Sequence, residues 1–152
     1  MVAVMTTPQA FFGEMIEQVV GQALSAAGYA LQNYPLYQMR GLFRYRKMLP
    51  DGRSAFIEFQ LLFYQGGVSR FRVNLLRNVG DDARAQAAEK LETTLARLLW
   101  DEFGVQQLRE ADHWWQFNNP TELGYALLEA GKLTFGFGIP WLEGTLQPGQ
   151  NA

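Results

Sequence analysis

Three stretches decide the fold of this chain: Gly41 to Met48 (GLFRYRKM), Arg53 to Tyr64 (RSAFIEFQLLFY) and Val68 to Leu76 (VSRFRVNLL). Each alternates with a period of two, the mark of a strand with one face buried. Leu49-Pro50-Asp51-Gly52 suits a type I turn completed by a left-handed glycine, which pairs Leu49 with Arg53. That register sets Arg44 opposite Glu58 and Arg46 opposite Phe56. At the second turn, Gln65-Gly66-Gly67, an odd-length loop keeps like faces together, because a slip of one residue exchanges them. Glu58 then faces Asn74, and Gln60 faces Arg72.

Phased in this way, one face carries Phe43, Tyr45, Ala55, Ile57, Phe59, Leu61, Phe63, Phe71, Val73 and Leu75, a core surface. The other carries Arg44, Arg46, Glu58, Gln60, Arg70, Arg72 and Asn74, with Phe56, Leu62 and Tyr64 interspersed. Two readings of the polar face stand side by side. Antiparallel sheets often leave one face wet, and an Arg44–Glu58 cross-strand pair contributes roughly 0.2–1 kcal/mol there. Alternatively, guanidinium groups hold carboxylates or phosphates with two parallel hydrogen bonds, and arginines mixed with aromatics suit a protein partner.

Around the meander, Thr7-Pro8 opens a helix whose apolar stripe runs Phe12, Met15, Ile16, Val19, Val20, Ala23, Leu24 and Ala27 to a stop at Gly28. Tyr29 to Asn33 reads as a short strand ended by Pro35. Asp81 and Asp82 precede a second helix with the stripe Ala87, Ala88, Leu91, Leu95, Leu98 and Leu99, ended by Gly104. Trp100 falls half a turn from that stripe, which makes it an interface residue or one clamped under another segment. His113 to Phe117 is a strand, and Asn119-Pro120 opens a third helix over Thr121 to Ala130 with a stop at Gly131. Leu133 to Glu143 follows as an irregular aromatic clasp docked on the core. Helices layered on an antiparallel sheet make the class α+β, with helices mainly on one face.

With 152 residues, 48% of them hydrophobic, the chain is the size of one domain with ample core material. The ends, Met1 to Thr6 and Gln147 to Ala152, carry no periodic pattern and are expected to fray. A formal charge of −2 supplies no general field for phosphate backbones, so nucleic acid is not expected. The N-terminus lacks the basic and apolar regions of a secretory signal, and no stretch reaches the roughly 20 apolar residues of a membrane span. A soluble cytoplasmic protein without membrane contact is the expectation.

Several chemistries find no support. Zero cysteines exclude thiolate nucleophiles and Cys-ligated metals. Ser25, Ser54 and Ser69 do not sit in a Gly-x-Ser-x-Gly elbow. The single histidine, His113, follows Asp112, a pair better read as strand-end packing than as a proton relay. Asp81-Asp82 and Asp101-Glu102 are sequence neighbours that point apart, so capping explains them better than metal binding. Gly136-Phe137-Gly138 follows no strand and opens no nucleotide loop. No catalytic residue, metal or cofactor is therefore expected.

Helix one ending in Leu24 and Gly28-Tyr29, the strands Leu42 to Arg46, Phe56 to Gln60 and Phe71 to Leu75, and the closing Gly138-Ile139-Pro140-Trp141-Leu142-Glu143 together resemble a family of small bacterial α+β domains of unknown function. The resemblance implies a fold and no activity. The expectation is a non-enzymatic binding or interaction domain using the arginine-rich face, with an unidentified protein partner or a second copy. Its alternative is a receptor or enzyme for a small anion, with a pocket between that face and the C-terminal aromatic segment, Arg44 and Arg72 as clamps and Glu58 as acid or base. Trp100, Phe56 and Tyr64 are the candidate interface aromatics.

Overall fold

The computed structural model describes residues 7–79, 91–105, 108 and 110–146. The two expected frayed ends and the Asp81-Asp82 helix start lie outside the described residues. Six strands form one antiparallel sheet: β1 (Ala30–Leu31), β2 (Leu42–Met48), β3 (Arg53–Leu62), β4 (Ser69–Val79), β5 (Leu91–Thr94) and β6 (Trp115–Phe117). The order is β1-β2-β3-β4-β5, and β6 pairs with β4 at Ser69, Arg70 and Phe71, ahead of the β5 pairing at Asn74 to Arg77. The meander register agrees with the turn chemistry at every expected pair: Arg44 with Glu58, Arg46 with Phe56, Glu58 with Asn74, and Gln60 with Arg72. Gly52 takes φ +86°, and Leu49 N–H donates to the Arg53 carbonyl at 2.7 Å.

Among the described residues, four helical segments accompany the sheet. Helix α1 (residues 8–26) is α-helical over Pro8–Ile16 and Gln22–Ala26, with a π turn at Glu17–Gly21. Thr7 caps it, its Oγ1 accepting from Ala10 N–H at 3.0 Å, and Gly28 ends it with φ +96°. Helix α2 (Pro35–Met39) fills the connection between β1 and β2. Helix α3 (residues 95–102) joins Leu95–Arg97 to a π turn at Leu98–Glu102. Helix α4 (residues 120–142) runs Pro120–Leu133, a π turn at Thr134–Gly138, and Ile139–Leu142. Among the described residues, no helix is long and apolar enough to cross a membrane.

One apolar cluster joins Phe12, Ile16, Val20 and Leu24 of α1, Leu95, Leu98 and Leu99 of α3, and Leu123, Leu127 and Leu142 of α4 to the inward face of the meander. The helices thus cover one face of the sheet, and Arg44, Arg46, Arg70 and Arg72 lie on the other.

Four expectations change. Phe63, placed in the core by alternation, is 44% exposed, because β3 ends at Leu62 and the turn carries the ring outward. Leu91 to Thr94 form strand β5 against β4 where the apolar spacing predicted helix; pairing with an available edge outweighs an apolar spacing that either element satisfies. Gly131 does not stop α4. It lies inside the helix, where a Cβ would stand 2.7 Å from Val20 Cγ1, so the glycine serves close packing of α4 on α1. Finally, the aromatic clasp is helical: the π turn widens the backbone just before Pro140, whose ring would crowd a regular α-turn.

Candidate functional site

The register aligns Arg44, Glu58, Asn74 and Thr94 in one row across β2, β3, β4 and β5 on the face away from the helices. The next row holds Leu42, Gln60 and Arg72. The side chains of Arg44, Glu58, Asn74, Gln60 and Arg72 form a continuous chain of hydrogen bonds. Arg44 donates from Nε at 3.0 Å and from Nη2 at 2.7 Å to Oε2 of Glu58. Asn74 Nδ2 donates to Glu58 Oε1 at 2.9 Å and to Gln60 Oε1 at 3.1 Å, and Arg72 Nε donates to that same Gln60 oxygen at 3.0 Å. The Glu58 side chain retains 14% exposure and Arg44 23%. At the far end, Arg46 Nε donates to the buried Ser54 hydroxyl at 3.1 Å. The seven polar residues expected on one face lie on that face, and five of them, Arg44, Glu58, Asn74, Gln60 and Arg72, are joined by hydrogen bonds.

Aromatic rings underlie the same cations. The Arg72 guanidinium lies 4.6 Å from the Trp114 ring centre and that of Arg70 lies 5.5 Å from Tyr64. Arg44 lies 5.7 Å from Tyr37 and 6.0 Å from Phe56. Stacking fixes a guanidinium's plane while its edge stays free to donate. Here the four arginines separate. Arg44 is spent on Glu58, and Arg46 is engaged by Ser54 and further contacts. Arg70 makes no hydrogen bond to the described residues, and Arg72 uses only Nε in bonding to them. The two sit two residues apart on β4, neighbours on one face.

The candidate interface aromatics fare differently. Tyr64 is exposed beside Arg70. Phe56, expected at the surface, is 1% exposed and serves as a buried floor, so it is withdrawn as a contact residue. Trp100 is half-buried in the π turn of α3. Trp114, on the approach to β6, also lies on the arginine face. The signal for that place was in the alternation: Trp114 and the exposed Gln116 share the arginine face, while Trp115 stacks on Phe71 at 5.5 Å and Phe117 packs against the core. Tyr37 carried no such signal, since a short helix presents it.

The enclosed anion pocket does not form as expected. Phe135, Phe137 and Trp141 pack against the core on the opposite side of the sheet, and Arg77, on that inward face, donates from Nη1 to the Leu142 carbonyl at 3.0 Å. The space beside Glu58, bounded by Arg44, Phe56, Asn74 and Glu92, measures about 60 Å³, room for a few waters. The Asp112 carboxylate accepts from Arg97 Nη2 at 2.6 Å, and His113 stands edge-on to Trp115 at 4.8 Å. Among the described residues, no three His, Asp or Glu side chains gather as metal ligands. Compared with family models, with curated proteins and with solved structures, the chain matches none.

Proposed function

We propose that this protein is a cytoplasmic, non-enzymatic interaction domain that receives an acidic segment of a partner protein on its outer sheet face. Arg70 and Arg72 make the contacts, with Tyr64 and Trp114 as the rafts that hold them. One observation carries the reading: two adjacent guanidinium groups are stacked on aromatic rings while their terminal N–H groups have no hydrogen-bond partner among the described residues. A partner carboxylate would meet donors that are already ordered, so less side-chain entropy is lost on binding. Glu58 fits a structural part better than a catalytic one, because both of its oxygens accept from fixed donors. The Arg44–Glu58–Asn74–Gln60 chain holds Arg72 in place and does not itself engage the partner.

The test uses a short fluorescein-labelled peptide rich in glutamate, followed by anisotropy at low and moderate salt. Saturable binding that weakens with salt is expected. Replacing both arginines, Arg70→Gln with Arg72→Gln, should weaken it at least tenfold, about 1.4 kcal/mol, with an unchanged melting temperature. Equal binding by the double variant removes the proposal.

A further inference from the structure

A second recess lies on the helical side of the sheet, away from the arginines. Helix α1 forms one wall, and β1 with α2 forms the other. Its volume is about 660 Å³, within the range of natural binding cavities. Gly13 and Phe43 lie at its base: a Cβ at position 13 would stand 2.4 Å from the Phe43 ring, so the helix backbone rests directly on the aromatic. On α2, Leu36 and Met39 are 74% and 71% exposed and stand one helical turn apart, and Met39 lines the recess together with Leu31. Exposed apolar side chains clustered beside a concavity are the surface that a partner covers.

The charges choose the partner. Among the described residues, Glu14 and Glu17 are the ionisable side chains lining this recess, and no lysine or arginine lines it. Glu17 accepts a hydrogen bond from the Tyr45 hydroxyl, which fixes its position while leaving its charge at the groove. Glu14 is exposed and has no ion-pair partner among the described residues. A trough walled by helices, rimmed by Leu and Met and lined by carboxylates suits a helix that is apolar on one face and basic beside it. We propose that this groove seats a basic amphipathic helix from a partner protein. Leu36 and Met39 cover its apolar stripe, and Glu14 and Glu17 pair with its lysines or arginines. The site is independent of the arginine face, so the protein would join an acidic element on one side to a basic one on the other.

The experiment uses two synthetic helical peptides with leucine at the same i, i+3, i+4 and i+7 positions, one flanked by lysines and one by glutamates, titrated into the full chain by calorimetry. The lysine peptide should bind one to one, with an affinity that falls as salt rises, and the glutamate peptide should not bind. Glu14→Lys should weaken the lysine peptide at least tenfold, and Leu36→Ser with Met39→Ser should abolish binding. These three residues are exposed, so the variants keep the fold, which circular dichroism verifies. Arg70→Gln with Arg72→Gln should leave this binding unchanged, which separates it from the sheet-face reading. Equal binding of both peptides, or binding indifferent to the Leu36 and Met39 changes, overturns the proposal. So does a dimer in light scattering that Met39→Ser disperses, which would make a second copy the occupant. It is overturned as well if a chain starting at residue 7 binds the lysine peptide and the full chain does not.

Discussion

A methyl group added at Gly131 would lie 2.7 Å from Cγ1 of Val20, whereas at Gly124 the nearest atom across the gap is Cε of Met15, at 3.7 Å. Both glycines sit within α4, where glycine costs about 1 kcal/mol of helix propensity relative to alanine. Val20 is a buried, branched side chain that cannot retreat, so the clash outweighs the propensity gain at position 131. Gly131→Ala should therefore lower unfolding stability by about 1–2 kcal/mol, while Gly124→Ala should raise it by about 0.5–1 kcal/mol. Urea unfolding of both variants checks the pair. With Val20→Ala already present, adding Gly131→Ala should cost nothing further, because contacting residues are not additive. The sequence reading took Gly131 for a helix stop. As a letter in a helical pattern it is indistinguishable from one, because what it accommodates is a valine on α1, more than a hundred residues earlier.

At the scale of elements, the meander was legible because two local signals agreed. The Leu49-Pro50-Asp51-Gly52 turn set the β2–β3 pairing, and alternation in three consecutive strands set the rest. The grouping of the seven polar residues on one face followed from that register. Strand β5 was not legible, because the spacing from Leu91 to Leu95 fits a helix turn and an alternating strand alike, and its partner residues, Asn74 to Arg77, lie far away in sequence. The change of element falls at Thr94, which still pairs with Asn74 while its Oγ1 caps α3 by accepting from Arg97 N–H at 3.1 Å. Thr94→Val keeps the β-branched shape and removes only the acceptor. It should cost about 1 kcal/mol in urea unfolding, and Thr94→Ser should be close to neutral. A loss from Thr94→Ser with none from Thr94→Val would show that strand shape, and not the cap, fixes the boundary.

At the scale of the molecule, two buried phenols tie distant parts of the chain together. The Tyr29 hydroxyl donates to Oε2 of Glu143 at 3.0 Å, linking the start of the sheet to the end of α4, where Lys47 Nζ also reaches both Glu143 oxygens at 3.1 Å. The Tyr45 hydroxyl donates to Glu17, linking β2 to α1. Burial is the main force holding both hydroxyls protonated well above their ordinary value near 10, and the neighbouring carboxylates, Glu143 for Tyr29 and Glu17 for Tyr45, add to it. The sign follows from proton counting. Above about pH 10 the unfolded chain releases these protons and the folded chain keeps them, so ionisation favours unfolding. The stabilising contribution is thus complete below that pH and declines above it, by up to about 1.4 kcal/mol per pH unit for each tyrosine. Lysines titrate in the same range, so the measurement is a difference between the protein and its Tyr29→Phe, Tyr45→Phe variant. Near neutrality the variant should be the less stable by about 0.5–1.5 kcal/mol per lost hydrogen bond. As pH rises past 10 its stability should fall less steeply, and the two curves should converge. Parallel curves in urea unfolding across that window would mean that these hydroxyls ionise as readily in the folded protein as in the unfolded chain, and that the two ties do not close the fold.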